Sequence, residues 1–300
     1  MIEAPPSDTF FTHAPHWRWL IVFYFFIGGL AAGSFFFAAI LTLFGRPKDR
    51  GLARIGYLVS LPLLMLCPPL LILDLNQPLR FWHMLVMNNR LVPIFKWWSP
   101  MSFGSWAITV FGAFVTLAFL GAYAEVTTRP FFRRFAFLGK GAPAAAIAAG
   151  GGIAGFFVAG YTGVLLSVTN RPIWADTNLV GAVFLLSAAT TSAALLSWIG
   201  ERRADPASVA WIGRVERWIG IAEVLAIALM VVTLGPVARV WLGAWGALLA
   251  LAVVAGIVGP WVIHARPSML GARTVAASAA LALAGGFVLR MVVILSSETT

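Results

Sequence analysis

The run WLIVFYFFIGGLAAGSFFFAAILTLF, at residues 19–44, contains no charged side chain. About 20 apolar residues are enough for an α-helix to cross the ~30 Å hydrocarbon core of a bilayer. Similar runs recur along the chain, so that 60% of its 300 residues are hydrophobic and only 11% are charged. Soluble domains contain about 25% charged residues. The sequence therefore predicts an all-α, polytopic integral membrane protein.

We predict a single integral membrane domain over residues 1–300, built as a bundle of about eight transmembrane helices. The predicted spans lie at about residues 19–44, 54–74, 102–124, 143–168, 178–199, 218–236, 240–263 and 274–295. The segments between them are polar, basic or contain proline, as loops do. Small residues are frequent within the spans, for example at 29–33 and 150–152. This composition indicates helices that pack closely in lipid.

The basic residues are concentrated on one predicted side of the membrane. The segments after the first, third, fifth and seventh spans, with Arg54 at a span edge, hold 14 of the 21 Lys and Arg residues, whereas the other side holds six. The positive-inside rule places the richer side in the cytoplasm. We therefore predict a multi-pass protein with both termini on the outer side, which is the periplasmic side if the membrane is the bacterial inner membrane that we expect for this chain. Since the basic residues lie in short loops, the net charge of +10 indicates topology and not nucleic-acid binding.

Polar residues gather at the span ends on the predicted outer side. Asp74, Arg80 and His83 lie within ten residues at the end of the second span. Further members lie before the first span, around the end of the fourth, and in the last: His13, His16, Arg18, Tyr161, Asn170, Arg171, Trp174, Asp176 and Arg290. Ionisable residues at membrane depth are costly and indicate functional sites. The alternative is an interfacial ion pair between Asp74 and Arg80 that closes the loop.

The chemistry of this outer cluster suits the headgroup of a quinone. His and Tyr side chains donate hydrogen bonds to the two carbonyl oxygens of a quinone. A carboxylate or an imidazole can exchange the two protons that accompany the two electrons of its reduction. The isoprenoid tail can lie between apolar helices.

Glu223 lies apart from this cluster, about one turn inside the predicted sixth span on the cytoplasmic side. A carboxyl group at this depth indicates a proton path. The alternatives are a side chain that reaches the nearby interface and an ion pair with Arg217.

Histidine and cysteine usage argues against redox metals held by this chain. The four histidines lie at span boundaries or in loops, and Cys67 is the single cysteine. Haem inside a membrane needs axial ligands on facing helices, and iron–sulfur clusters need several cysteines. We therefore expect no haem, no iron–sulfur cluster and no metal site, so that a partner must supply electrons for any redox chemistry.

Four stretches of the chain resemble the NrfD/PsrC-type membrane subunits of polysulfide reductase. They are YFFIGGLAAG at 24–33, DLNQPLR at 74–80, SPMSFGSW at 99–106, and YTGVLLS at 161–167 followed by PIW at 172–174. They cover the first five spans in the order of that family, and the last three spans match only in hydropathy and number. The resemblance implies an anchor subunit of an oxidoreductase that exchanges electrons between a menaquinone or ubiquinone pool and an iron–sulfur partner, without haem of its own.

The resemblance also implies particular partners and site residues. The partner is a ferredoxin-like iron–sulfur subunit that docks on the outer face, at the loop 75–101, and usually carries a molybdopterin catalytic subunit. The quinone-binding residues carried over by likeness are His16, Asp74, Arg80, Tyr161 and Asp176, with His13 equally able to take the place of His16.

Two other functions remain open from the sequence. Glycine-interrupted helices and Glu223 also fit a secondary transporter, although the sequence lacks the internal repeat that is typical of transporters. A proton-translocating subunit of a redox complex is the second, and Glu223 is the one deep carboxyl group that supports it.

Overall fold

The computed structural model describes residues 17–266 and 270–299, apart from the side chain of residue 272. Within these ranges the regular secondary structure is helical, and β-structure is limited to an isolated bridge between Val86 and Pro93. The prediction of an all-α fold is confirmed.

Eight long helices follow one another along the described ranges. They are α1 (Trp19–Phe44), α2 (Arg50–Asp74), α3 (Pro100–Val126), α4 (Gly141–Ser167), α5 (Val180–Gly200), α6 (Pro206–Thr233), α7 (Ala244–Ala265, with a π-helical segment at Val254–Val258) and α8 (Thr274–Leu295). Seven of them are each long and apolar enough to cross a membrane. The remaining one, α6, passes the same test together with the short helix Gly235–Leu242, which is bent from it by 110°. The chain is therefore a multi-pass membrane protein, as predicted.

α6 begins twelve residues before the predicted start of the sixth span at residue 218. The Asp205 side chain accepts a hydrogen bond from the backbone N–H of Ala207 at 2.9 Å, and Pro206 occupies the first helical position. Both features stabilise a helix N-terminus. Glu223 consequently lies near the middle of α6, and not one turn from the beginning of the helix.

α1 is the central helix of the bundle and packs against α2, α4, α5 and α8. Small residues allow these close approaches. A Cβ atom added to Gly33 would collide with Ser192 of α5, and one added to Gly151 of α4 would collide with the Phe35 ring. The packing role expected of these glycines is confirmed.

Different ends of the same four helices meet at the two ends of the bundle. The N-terminal ends of α1 and α3 and the C-terminal ends of α2 and α4 meet at one end, which we call the Asp74 end. The opposite ends of the same four helices meet at the other, which we call the Arg50 end. The positive-inside rule predicts that the Arg50 end faces the cytoplasm.

Candidate functional site

A cavity of about 230 Å³ lies between α1, α2, α3 and α4 at the Asp74 end. Its walls are mainly apolar and include Ile21, Leu71, Ile108 and Leu165. The polar side chains on these walls are Tyr24, Asp74, Ser105, Thr109 and Tyr161. Apolar walls with a few polar groups are typical of sites that bind small organic molecules.

Asp74 is the last residue of α2, and its half-buried side chain lines this cavity. Among the described residues, its carboxylate forms neither a hydrogen bond nor an ion pair with another side chain. The alternative of an ion pair with Arg80 is therefore not what the structure shows. The Asp74 side chain is one of the polar groups that a molecule in the cavity would meet.

Tyr161 reaches the cavity from α4 and is held against the first turn of α3. Its hydroxyl donates a hydrogen bond to the carbonyl oxygen of Pro100. A Cβ atom added to Gly104 would lie 2.5 Å from the Tyr161 ring, so that only glycine leaves room for the ring there. The hydroxyl oxygen of Tyr161 keeps lone pairs that can accept a hydrogen bond from a bound molecule.

Comparison with known proteins identifies the family of this chain. Residues 9–300 match the family model described as polysulphide reductase, NrfD. The chain belongs to the NrfD family. Over 101 residues it is 29% identical to the C subunit of the selenate reductase of Mesobacillus selenatarsenatis, a match that covers 34% of this chain and 21% of that protein.

A second relative of this NrfD-family protein is the C subunit of the polysulfide reductase of Wolinella succinogenes. The two are 30% identical over 113 residues, which is 36% of this chain and 33% of the relative. The matched segments thus span between about a fifth and a third of the lengths of these two relatives.

Three further residues that line the cavity at the Asp74 end were not predicted from the sequence of this NrfD-family protein. Tyr24 is 6% exposed on α1, and Ser105 and Thr109 lie one turn apart on α3. Helical spacing is a partial signal, since it groups residues on one face of a helix but does not show which face lines a cavity. Tyr24 follows the cavity residue Ile21 by three positions, and residues spaced by three or four lie on one face of a helix.

Trp17 forms the end of the cavity next to α1. Its ring stacks on that of Trp174, with 5.7 Å between the centroids and 22° between the planes. Trp174 is fully buried and donates a hydrogen bond from Nε1 to the carbonyl oxygen of Val293 at 2.8 Å. The loop after α4 and the end of α8 thus support this wall of the cavity.

Two other residues predicted for the quinone site, Arg80 and Asp176, do not line the cavity. Arg80 is exposed on the short helix Pro78–Met84 and does not line the cavity. Asp176 accepts a hydrogen bond from the backbone N–H of Ile173 at 2.9 Å, where φ is +70°. Positive φ is unusual for a β-branched residue, so Asp176 stabilises a turn. His16 lies outside the described residues.

The predicted outer cluster is therefore divided. Asp74 and Tyr161 share the cavity, whereas Arg171 forms an ion pair with Glu298 at 3.3 Å beside the C-terminal segment. His83 stacks edge-on against Trp82 with 4.0 Å between the ring centroids. Among the described residues, no group of three or more His, Cys, Asp and Glu side chains is placed to hold a metal ion.

Glu223 belongs to a polar network inside the bundle. It is 2% exposed, and the hydroxyl of Thr190 on α5 donates a hydrogen bond to its Oε2 at 2.6 Å. The two alternatives of a side chain that reaches the interface and of an ion pair with Arg217 are therefore wrong. The reason is that Arg217 and Glu223 both lie within α6, which extends from Pro206 to Thr233. Glu223 lies on the face of α6 that packs against α5.

Arg290 of α8 is the second ionisable member of this network. It lies where α1, α5 and α8 pack together, and not in the outer cluster. It donates to the Ser187 hydroxyl at 3.1 Å and to the Phe25 carbonyl at 3.2 Å, and further to the carbonyls of Phe184 and Gly286. Ser187 lies one turn before Thr190 on α5. α5 therefore joins the hydrogen bonds of Arg290 to those of Glu223.

Proposed function

We propose that this chain is the quinone-binding membrane anchor subunit of a multi-subunit oxidoreductase in the bacterial inner membrane. The observation that carries the proposal is the cavity at the Asp74 end, where Asp74 and Tyr161 lie on different helices around an apolar interior. Membership of the NrfD family supports it. So do the relatives, which by name are the C subunits of a selenate reductase and a polysulfide reductase.

The proposed site residues have separate tasks. Reduction of a menaquinone or ubiquinone to the quinol takes up two electrons and two protons. Asp74 exchanges protons with the headgroup because its carboxyl group has no partner among the described side chains, and Tyr161 orients the headgroup through its hydroxyl. The apolar walls, which include Ile21 and Ile108, hold the ring and the start of the isoprenoid tail. In the opposite direction Asp74 accepts protons from the quinol.

Electrons reach the quinone from a partner in this proposal, which assigns no haem to the chain. The loop 75–101 contributes Phe81 and Met84 to the cavity and exposes Trp97 and Trp98 at 74% and 66%. Exposed aromatic residues are favoured at protein–protein interfaces. We infer that a ferredoxin-like iron–sulfur subunit docks on this loop, close to the quinone, and links the chain to a molybdopterin catalytic subunit.

Filling the cavity tests the proposed function. Ile108→Trp places an indole in the cavity and is expected to abolish stoichiometric binding of quinone, because the headgroup and the indole would occupy the same space. The measurement is extraction and chromatography of quinone retained by the complex in lipid nanodiscs. Ile153→Trp is the matched control, since Ile153 of α4 is 74% exposed and far from the walls of the cavity.

Equal retention of quinone in the Ile108→Trp variant and the wild-type complex would contradict the assignment of this cavity. A complex that retains no quinone in either form, and that co-purifies with no iron–sulfur subunit, would instead favour the secondary transporter.

A second candidate function, proton translocation coupled to the redox reaction, is supported by the network around Glu223. A cavity of about 10 Å³ adjoins Glu223 and Gly286, which is about the space that one water molecule needs. Glu223→Gln keeps a hydrogen-bond acceptor for Thr190 but removes the titratable group. We expect quinone turnover to continue and proton uptake from the Arg50 side of proteoliposomes to fall by about tenfold or more.

The control for this measurement is Glu201→Gln, which changes an exposed carboxyl group after α5. Unchanged proton uptake per electron in the Glu223→Gln variant would exclude a proton path through this residue, while leaving the quinone assignment intact.

A further inference from the structure

The opposite end of the bundle contains a second cavity, which the proposed function does not use. It has a volume of about 530 Å³ and lies at the Arg50 end, between the same four helices α1–α4. We propose that this cavity binds a phosphate group, and that the phosphate is the headgroup of an anionic phospholipid.

The charge of the cavity carries the first step. Four basic side chains line it, namely Arg46, Arg50, Arg54 and Lys140, together with one carboxyl group, that of Glu125. The net charge of the lining is therefore three positive charges, four cations less one anion. A concave site with this excess attracts multivalent anions.

Glu125 positions two of the cations. Arg50 donates hydrogen bonds to the Glu125 carboxylate and to the carbonyl oxygen of Gly139, the latter at 3.2 Å. Arg54 Nη1 lies 3.9 Å from the same carboxylate. The exposed side chains of Arg46 and Lys140, by contrast, form no ion pair with a carboxylate in the described ranges. Both side chains line the cavity, where they can approach a bound phosphate, and arginine in particular recognises its oxygens with two parallel hydrogen bonds.

The backbone adds to the positive potential. α4 begins at Gly141, and this residue lines the cavity. The first N–H groups of a helix lack partners within the helix and carry the positive end of its dipole, so they favour anions. One helix N-terminus and four basic side chains thus converge on one cavity.

The interior of the cavity favours a lipid over a soluble phosphate. Below the basic mouth its walls are the buried side chains of Leu41, Ala53, Ala122 and Ile147. A basic mouth with an apolar interior, at the end of membrane-spanning helices, matches a headgroup phosphate followed by an acyl chain. Basic pockets between transmembrane helices bind anionic lipid headgroups in this way. A soluble phosphate would use the charges and leave the apolar walls without a partner.

Native mass spectrometry of the full-length protein, with phosphatidylglycerol or phosphatidylcholine added, tests this proposal. We expect one phosphatidylglycerol molecule to bind and phosphatidylcholine to bind at least tenfold more weakly. The double variant Arg46→Gln/Lys140→Gln is expected to weaken phosphatidylglycerol binding by roughly 30-fold, since each basic residue near an anionic headgroup contributes about fivefold. The matched control is Arg202→Gln/Arg203→Gln, which removes two exposed charges outside the cavity.

A second variant tests the cavity without a change of charge. Ala145 is an exposed wall residue at the beginning of α4, and Ala145→Trp is expected to exclude the lipid. Equal binding of the two lipids, or full phosphatidylglycerol binding by both the double variant and Ala145→Trp, would overturn the proposal. If the protein retained added inorganic phosphate but not phosphatidylglycerol, the proposal that the phosphate belongs to a lipid would be overturned. The cavity would then be a site for a soluble phosphate.

Discussion

Asp74→Asn is expected to lower quinone turnover by the complex by about 10²- to 10⁴-fold, which is the usual contribution of a general acid or base. Asparagine has nearly the same size as aspartate, so the cavity at the Asp74 end keeps its shape, but an amide does not exchange protons with the headgroup. Quinone retained per complex should therefore change little, while the steady-state rate with a water-soluble quinone analogue falls.

The control for this variant is Glu201→Gln, which makes the same change from carboxylate to amide at an exposed position outside the cavity. A rate within twofold of the wild type in Asp74→Asn would show that another group supplies the protons. The proposal would then keep the cavity and lose its assigned proton donor.

Gly104→Val is expected to weaken quinone binding by roughly tenfold to hundredfold. A Cβ atom at residue 104 would lie 2.5 Å from the Tyr161 ring, and a valine adds two methyl groups beyond it. Overpacking of this kind costs about 1–3 kcal/mol or displaces the neighbour. The ring must then move away from α3, which breaks the hydrogen bond between the Tyr161 hydroxyl and Pro100 and narrows the cavity.

Gly112→Val is the matched control because it introduces the same side chain on the same helix. A Cβ atom at Gly112 would meet only Leu64, at 3.8 Å, which is an ordinary contact. The measurement is the dissociation constant of a quinone analogue for each variant in nanodiscs. Similar constants for the two variants would show that the position of Tyr161 does not control binding.

The number and place of the membrane helices could be predicted well from the sequence. The spans at 19–44 and 274–295 agree with α1 and α8 at both ends. The reason is physical: a segment in hydrocarbon must satisfy its backbone hydrogen bonds internally and must match the thickness of the bilayer. Hydropathy along the chain therefore reports the helices directly.

The beginning of α6 was not predicted, because this helix continues beyond its apolar run. The charged residues Arg214 and Glu216 belong to α6, although their composition is typical of a loop. Hydropathy marks the part of a helix that lipid surrounds. It does not mark the N-terminal end of α6, which the Asp205 side chain caps. The sequence therefore left open whether Glu223 lies inside the bundle or reaches the interface, and the structure places it in the interior.

The residues of the cavity at the Asp74 end were predicted in part. The resemblance to NrfD subunits placed Asp74 and Tyr161 in one site, and both line the cavity. It also included Arg80 and Asp176, of which one is exposed and the other stabilises a turn. A short motif contains both residues that line the cavity and residues that stabilise the neighbouring loop. The spacing of these residues in the sequence does not show which of them line the cavity.

The sequence by itself determined that this chain is a helical membrane protein and which span ends carry its ionisable groups. Only the tertiary structure decided that Tyr24, Ser105 and Thr109 line the Asp74 cavity, and that Arg46 and Lys140 share a second one. Helices in lipid have no hydrophobic force to choose their neighbours, so the choice depends on the fit of small side chains such as Gly33 and Gly104 against one another. That fit is a property of pairs of helices, and no single segment of the sequence contains it.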